Sequence, residues 1–224
     1  MFGFFKKFDV RNSADQGDAT AQCKLGAHYY FGKGVPQDYA EAVKWYRKAA
    51  DQGYAEAQCC LGGCYTTGNG VATNTVEALK WYRKSAEQGN ATAQFILGCR
   101  YRDGRDVTQD YAEATKWYRK SAEQNFAEAQ CWLGNSYATG NGLTKDALEA
   151  VKWYRKAGEQ GHAEAQYNLG IFYYNGHGVS KDIIEAFKWF SLAAAQGNED
   201  AKKALPIIKQ KITPEQIVEA AQRL

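Results

Sequence analysis

Proline is nearly absent, with three residues in 224. No stretch approaches the roughly 18 consecutive apolar residues that a membrane-spanning helix needs, so no span is expected. Histidine is just as sparse. His28, His162 and His177 stand far apart, with no pair at metal-ligand spacing. A phosphate-binding glycine loop, a nucleophile elbow and a serine with a neighbouring base are all missing, so no enzymatic activity, no cofactor and no metal are expected. Charge of one sign is lacking too. The formal net charge is only +3, and the interleaved acids argue against nucleic acid as a partner. The first ten residues lack the apolar run of about 7 to 15 residues typical of a secretory signal. A cytoplasmic protein is therefore expected, or a periplasmic or secreted one if a leader has been removed. Phe2, Phe4, Phe5 and Phe8 beside Lys6 and Lys7 leave a weak membrane contact as a second use of that segment, against packing as a cap.

What the chain has in abundance is repetition. Trp45, Trp81, Trp117, Trp153 and Trp189 follow one another at a constant step of 36 residues. Gln22, Gln58, Gln94, Gln130 and Gln166 share the step, as do Leu25, Leu61, Leu97, Leu133 and Leu169, each followed by glycine. A period of this size marks one supersecondary unit stacked on copies of itself. Ala21, Leu25 and Tyr29, four apart, give the first helix of a copy one apolar stripe. Ala42, Trp45, Ala49 and Ala50 form the buried face of a second helix, while Glu41, Lys44, Arg47 and Lys48 point to water. Glycines end both helices. The two exceptions, Asn125 and Asp106, are residue types that tolerate the left-handed backbone region better than most. The glutamates Glu41, Glu77, Glu113, Glu149 and Glu185 read as partners of lysines three residues later rather than as acid/base catalysts.

The motif Ala-x-Ala-Gln-x-x-Leu-Gly-x-x-Tyr-x-x-Gly-x-Gly, continued by Asp38, Tyr39, Glu41, Ala42, Lys44, Trp45 and Tyr46, closely resembles the Sel-one-like repeat, a relative of the tetratricopeptide repeat. The resemblance implies an all-α fold: a right-handed α/α superhelical solenoid of about five 36-residue helix-turn-helix repeats with terminal caps. Its parts are an N-terminal capping segment at 1–17, repeats at 18–53, 54–89, 90–125, 126–161 and 162–197, and capping helices at 198–224. Such proteins serve as adaptors or scaffolds. The resemblance thus implies a non-enzymatic, monomeric scaffold that binds a protein or peptide segment in a concave groove. An inhibitor, immunity or effector protein that blocks a partner is the alternative, and a secreted β-lactamase-like hydrolase a remoter one. Some secreted relatives are rich in paired cysteines. Here Cys23, Cys59 and Cys131 share one column, and stacked helices roughly 9 to 10 Å apart hold such positions beyond disulfide reach. Reduced thiols filling small spaces are expected, with Cys60, Cys64 and Cys99 as the alternative soft metal site.

Both ends read as caps. Ala14 to Gly17 repeat Ala50 to Gly53, suggesting a degenerate second helix. Asn198 to Leu205 begins a sixth first helix, which is not expected to continue normally past Pro206. Thr213, Pro214 and Gln216 form a capping box for a last helix through Leu224, whose Ile217, Val218 and Ala221 are expected to seal the apolar end. In tetratricopeptide-type folds the first helices line the groove, and the positions outside the packing signature vary from copy to copy. From these columns the candidate partner-binding residues are Phe95, Arg102, Trp132, Asn135, Tyr167, Ile171 and Tyr174. For Phe95, Trp132 and Ile171 the competing reading is ordinary packing, because large apolar side chains go inside.

Overall fold

A computed structural model describes residues 10–223. Every regular element among the described residues is helical. The chain divides into two compact units, Met1–Gln109 and Asp110–Leu224. In the first, α1 covers residues 10–15, followed by α2 (Ala19–Phe31), α3 (Tyr39–Asp51), α4 (Ala55–Thr67), α5 (Thr75–Glu87) and α6 (Ala91–Asp103). In the second, α7 (Tyr111–Glu123), α8 (Ala127–Thr139), α9 (Ala147–Glu159), α10 (Ala163–Asn175) and α11 (Ile183–Ala195) are followed by α12 (Glu199–Lys209) and α13 (Pro214–Gln222). Within each unit, first and second helices pair, and each second helix also packs on the next first helix.

Local chemistry sets the helix ends. The side chains of Asp38, Asn74, Asp110, Asp146 and Asp182 each accept a hydrogen bond from the amide three residues on, which satisfies an otherwise orphan donor of a second helix. Gly32, Gly68, Gly104, Gly140 and Gly176 close the first helices in the left-handed region, with φ between 66° and 84°. Among the described residues, Asp106 and Asn125 are the non-glycines with positive φ, at 61° and 66°. They are the two residues that replace glycine in the repeat.

Packing explains the other recurring columns. Leu61, Leu97, Leu133 and Leu169 are fully buried. Gly26, Gly62, Gly134 and Gly170, each after a buried leucine, are glycine because an aromatic ring of the paired helix lies on them. A Cβ on Gly26 would stand 2.7 Å from the Tyr46 ring, and one on Gly170 would stand 2.9 Å from Phe190. The buried glutamines are fully used, as buried amides must be. Gln58 Nε2 donates to the Ala50 carbonyl at 3.1 Å, while its Oε1 accepts from Gln88 at 2.7 Å. Gln130 and Gln166 repeat both bonds in the second unit. Each such glutamine therefore ties its first helix to the second helices on either side.

The ends combine agreement with correction. Ala14 is buried, its carbonyl accepts from Gln22 at 3.1 Å, and Arg11 donates to the Tyr29 hydroxyl as Arg47 does to Tyr65. The aromatic residues before Val10 and the final Leu224 lie outside the described residues. The capping box of Thr213 and Gln216 is present, with Pro214 in the first turn. Contrary to expectation, α12 runs on through Pro206 to Lys209. The proline sits on an exposed face, where water can solvate the carbonyl that loses its helical donor. The expected seal is also corrected. Val218 is 58% exposed and Ala221 faces solvent, whereas Ala220 is buried and Ile217 packs beside Ile208 and Ile212.

Candidate interaction surface

The predicted partner-binding residues all lie on first helices and all are half-buried. Phe95 and Arg102 belong to α6 of the first unit. Arg102 makes a two-pronged ion pair with its neighbour Asp103, Nε to Oδ1 at 2.6 Å and Nη2 to Oδ2 at 3.1 Å. That hydrogen bonding holds the Asp103 carboxyl below its ordinary range. The charge expected to meet a partner is thus partly neutralised by the next residue.

The other five belong to the second unit. Trp132 on α8 stacks on Tyr118 of α7, with ring centroids 6.1 Å apart and planes 21° from parallel. Asn135, one turn further along α8, accepts from the Tyr154 hydroxyl at 2.6 Å and from Asn168 Nδ2 at 3.3 Å, so its side-chain oxygen serves the packing of α9 and α10. On α10, Tyr167 leans on Phe190 with centroids 5.5 Å apart, and Ile171 packs against the terminal apolar cluster. Tyr174 is different. Its hydroxyl accepts a hydrogen bond from Lys211, and the Nζ atoms of Lys211 and Lys181 stand 4.9 and 5.6 Å from its ring centroid. The Lys211 hydrogen bond and charge lower the Tyr174 phenol from its ordinary value. Ile171 and Tyr174 line one apolar hollow of about 260 Å³.

Two further hollows lie on the second-helix faces, one beside Lys44, Arg47 and Lys48 and one beside Lys152, Arg155 and Lys156. Most of their lining positions correspond at three repeat lengths, among them Glu41 and Glu149, Val43 and Val151, and Val71 and Val179, so they follow from the repeated frame. The glutamates on these faces pair with lysines three residues later, as at Glu113 and Lys116, 3.0 Å apart. The carboxylate column is accordingly engaged in surface ion pairs.

Several working contacts left little trace in the sequence. Arg100, 8% exposed, pairs with Asp106, donates to Thr66 Oγ1 at 3.0 Å and lies 5.2 Å from the Tyr82 ring centroid. It anchors the loop in which aspartate replaces glycine. All six cysteines are free. Interaction between the neighbouring Cys23 and Cys60 thiols lowers Cys60 and raises Cys23. A column-by-column comparison pairs Cys23 with Cys59 and so passes over this contact. Burial pushes the Cys59 thiol up to about 12 and Cys64 to about 11. Among the described residues no three His, Cys, Asp or Glu side chains group to hold a metal ion, and no helix is long and apolar enough to cross a membrane.

Stacked helix pairs, buried glutamine ties and a repeated ring-on-glycine contact define a helical-repeat protein. The Sel1 repeat model matches residues 19–54, 55–90, 91–126, 127–162 and 163–198, and the chain belongs to the Sel1 repeat family. This is a family of typically non-catalytic binding proteins. Among solved structures, a protective antigen of uropathogenic Escherichia coli with an SLR fold is similar at 39% identity and a TM-score of 0.86. The match covers 95% of this chain and 47% of that one, so the chain spans about half the length of this relative. A Sel1 repeat protein of Oxalobacter formigenes is similar at 40% identity and a TM-score of 0.78, over 85% of this chain and 76% of that one. An immunity protein of Pseudomonas aeruginosa shares the fold alone, at 24% identity and a TM-score of 0.53, over 82% of this chain and 67% of that one. Comparison with curated proteins returned no match.

Proposed function

We propose that the chain is a non-enzymatic scaffold or adaptor that holds a protein or peptide segment against the variable positions of its first helices. The supporting observation is a division of labour among side chains. Buried glutamines donate to the carbonyl eight residues back in each copy and leucines of the first helices are buried throughout, whereas positions 27, 63, 99, 135 and 171 read Ala, Gly, Cys, Asn and Ile. A frame that repeats while its accessible positions differ can recognise an asymmetric ligand without loss of fold. Aromatic and arginine side chains at such positions are common energetic anchors of interfaces.

Affinity purification from native cells tests this reading. Arg102→Ala with Trp132→Ala is expected to weaken retention of the co-purified partner at a temperature where circular dichroism shows the variant still folded. Lys116→Ala with Lys152→Ala, on exposed second-helix faces, is expected to leave retention unchanged. Equal loss in both variants, or unchanged retention in the first, defeats the proposal.

A further inference from the structure

At the junction of α8, α9 and α10, Tyr154 donates to Asn135, which also accepts from Asn168. One repeat later the same places carry Phe190 and Ile171. The hydroxyl and the amide disappear together, and Ile207 of α12 extends the Asn135 and Ile171 column with a second large aliphatic residue. The outcome is the 260 Å³ hollow lined by Ile171, Tyr174, Phe190, Ala204, Ile207 and Ile208. Ile207 is 56% exposed, although it is a large aliphatic residue on the hollow's edge. The hollow is below the roughly 300 to 1,000 Å³ of small-molecule sites and suits one bulky side chain.

Its rim is positive. Lys211 and Lys181 flank Tyr174, and neither makes an ion pair with a described acid. Nearby Lys202 and Lys203 are each matched by an acid, Glu199 at 2.7 Å and Asp200 at 3.1 Å. Apolar floor and uncompensated cations together favour a ligand that brings an apolar group flanked by carboxylates. The chain's own aromatic run, Phe2 to Phe8, carries Lys6 and Lys7 and has the wrong charge for this rim.

We infer that the hollow between α10, α11 and α12 docks one bulky apolar side chain of an acidic peptide segment, with Lys181 and Lys211 meeting its carboxylates. This rests on the scaffold reading and names the chemistry of the partner. The probe is a fluorescein-labelled peptide with one phenylalanine flanked on each side by glutamates, followed by fluorescence anisotropy. Binding is expected to weaken as salt rises, to vanish when the phenylalanine is serine, and to fall at least about tenfold in Ile207→Ser and in Lys211→Glu, a loss typical of an interface anchor. Both positions are exposed, so far-UV circular dichroism should be unchanged. Equal binding of a lysine-flanked peptide, indifference to both substitutions, no binding at all, or self-association of the chain that Ile207→Ser abolishes would overturn the inference. A native partner lost by Arg102→Ala with Trp132→Ala but kept by Ile207→Ser and Lys211→Glu would overturn the hollow alone and leave the scaffold reading standing.

Discussion

The junction of α8, α9 and α10 and the junction of α10, α11 and α12 share one frame and differ in surface chemistry. In both, an aromatic ring lies on a helical glycine: a Cβ on Gly134 would be 2.7 Å from Tyr154, and one on Gly170 would be 2.9 Å from Phe190. In both, a glutamine pair crosses between second helices and first helices, Gln160 to Gln130 at 2.7 Å and Gln196 to Gln166 at 2.6 Å. Yet the first junction ends in a hydrogen-bonded set of Tyr154, Asn135 and Asn168, and the second in an open apolar hollow. The difference arises because the ring's inner edge belongs to the frame while its outer tip does not. Exchanging tyrosine for phenylalanine alters the tip and leaves the glycine contact in place.

The largest expected effect concerns what the two junctions share. Trp153 is 8% and Trp189 3% exposed. Trp153→Ala and Trp189→Ala should each lower stability by about 3 to 5 kcal/mol, from lost burial plus the cavity left behind. Urea denaturation followed by circular dichroism measures it. A loss much smaller at one site than at the other would show that the frame is not equivalent across the junctions. Next comes a conversion of one junction into the other. Tyr154→Phe should cost about 1 kcal/mol by leaving Asn135 with one partner fewer. Adding Asn135→Ile should recover part of that loss, since the pair then matches Phe190 and Ile171. Strictly additive losses in this double-mutant cycle would argue that the polar set is not a unit.

The smallest effect is a titration at the second junction. Tyr174 ionises below the ordinary tyrosine value because Lys211 donates to its hydroxyl and adds positive charge. A depressed pKa in the folded chain means that the phenolate's stabilisation is present above the unfolded value and is lost as pH falls through the folded one. Below the folded midpoint it contributes nothing through ionisation. Lys211→Gln should therefore raise the Tyr174 midpoint, as read by NMR of tyrosine-labelled protein. A midpoint that does not move would mean that Lys211 does not hold the hydroxyl in solution.

Much of the frame was legible because it is written in local terms. Asn125 and Asp106 stand where backbone geometry asks for positive φ, and that demand is visible from one residue and its register. Thr213 and Gln216 cap a helix from three residues apart. Pro206 shows the limit of local reading: a residue that usually interrupts a helix is tolerated inside α12, because its exposed face leaves the freed carbonyl to water. The coupling between Cys23 and Cys60 was hidden by a one-residue offset between stacked helices, and Arg100 by its partner six residues away in a loop. Among the candidate residues, Ile171 and Tyr174 come together at one hollow. Asn135 and Arg102 turn their polar groups largely to neighbours within the chain.

The order of residues by itself determined the 36-residue period, the helix ends within the repeats and the membership of the repeat family, since each depends on spacing and backbone preference along the chain. The tertiary structure alone decided which side chains share a space: the tyrosine ring on a helical glycine, the thiol pair, and the lysine-rimmed hollow of Ile171, Phe190 and Ile207. Those meetings depend on the offset and tilt between packed helices, quantities that no local preference encodes.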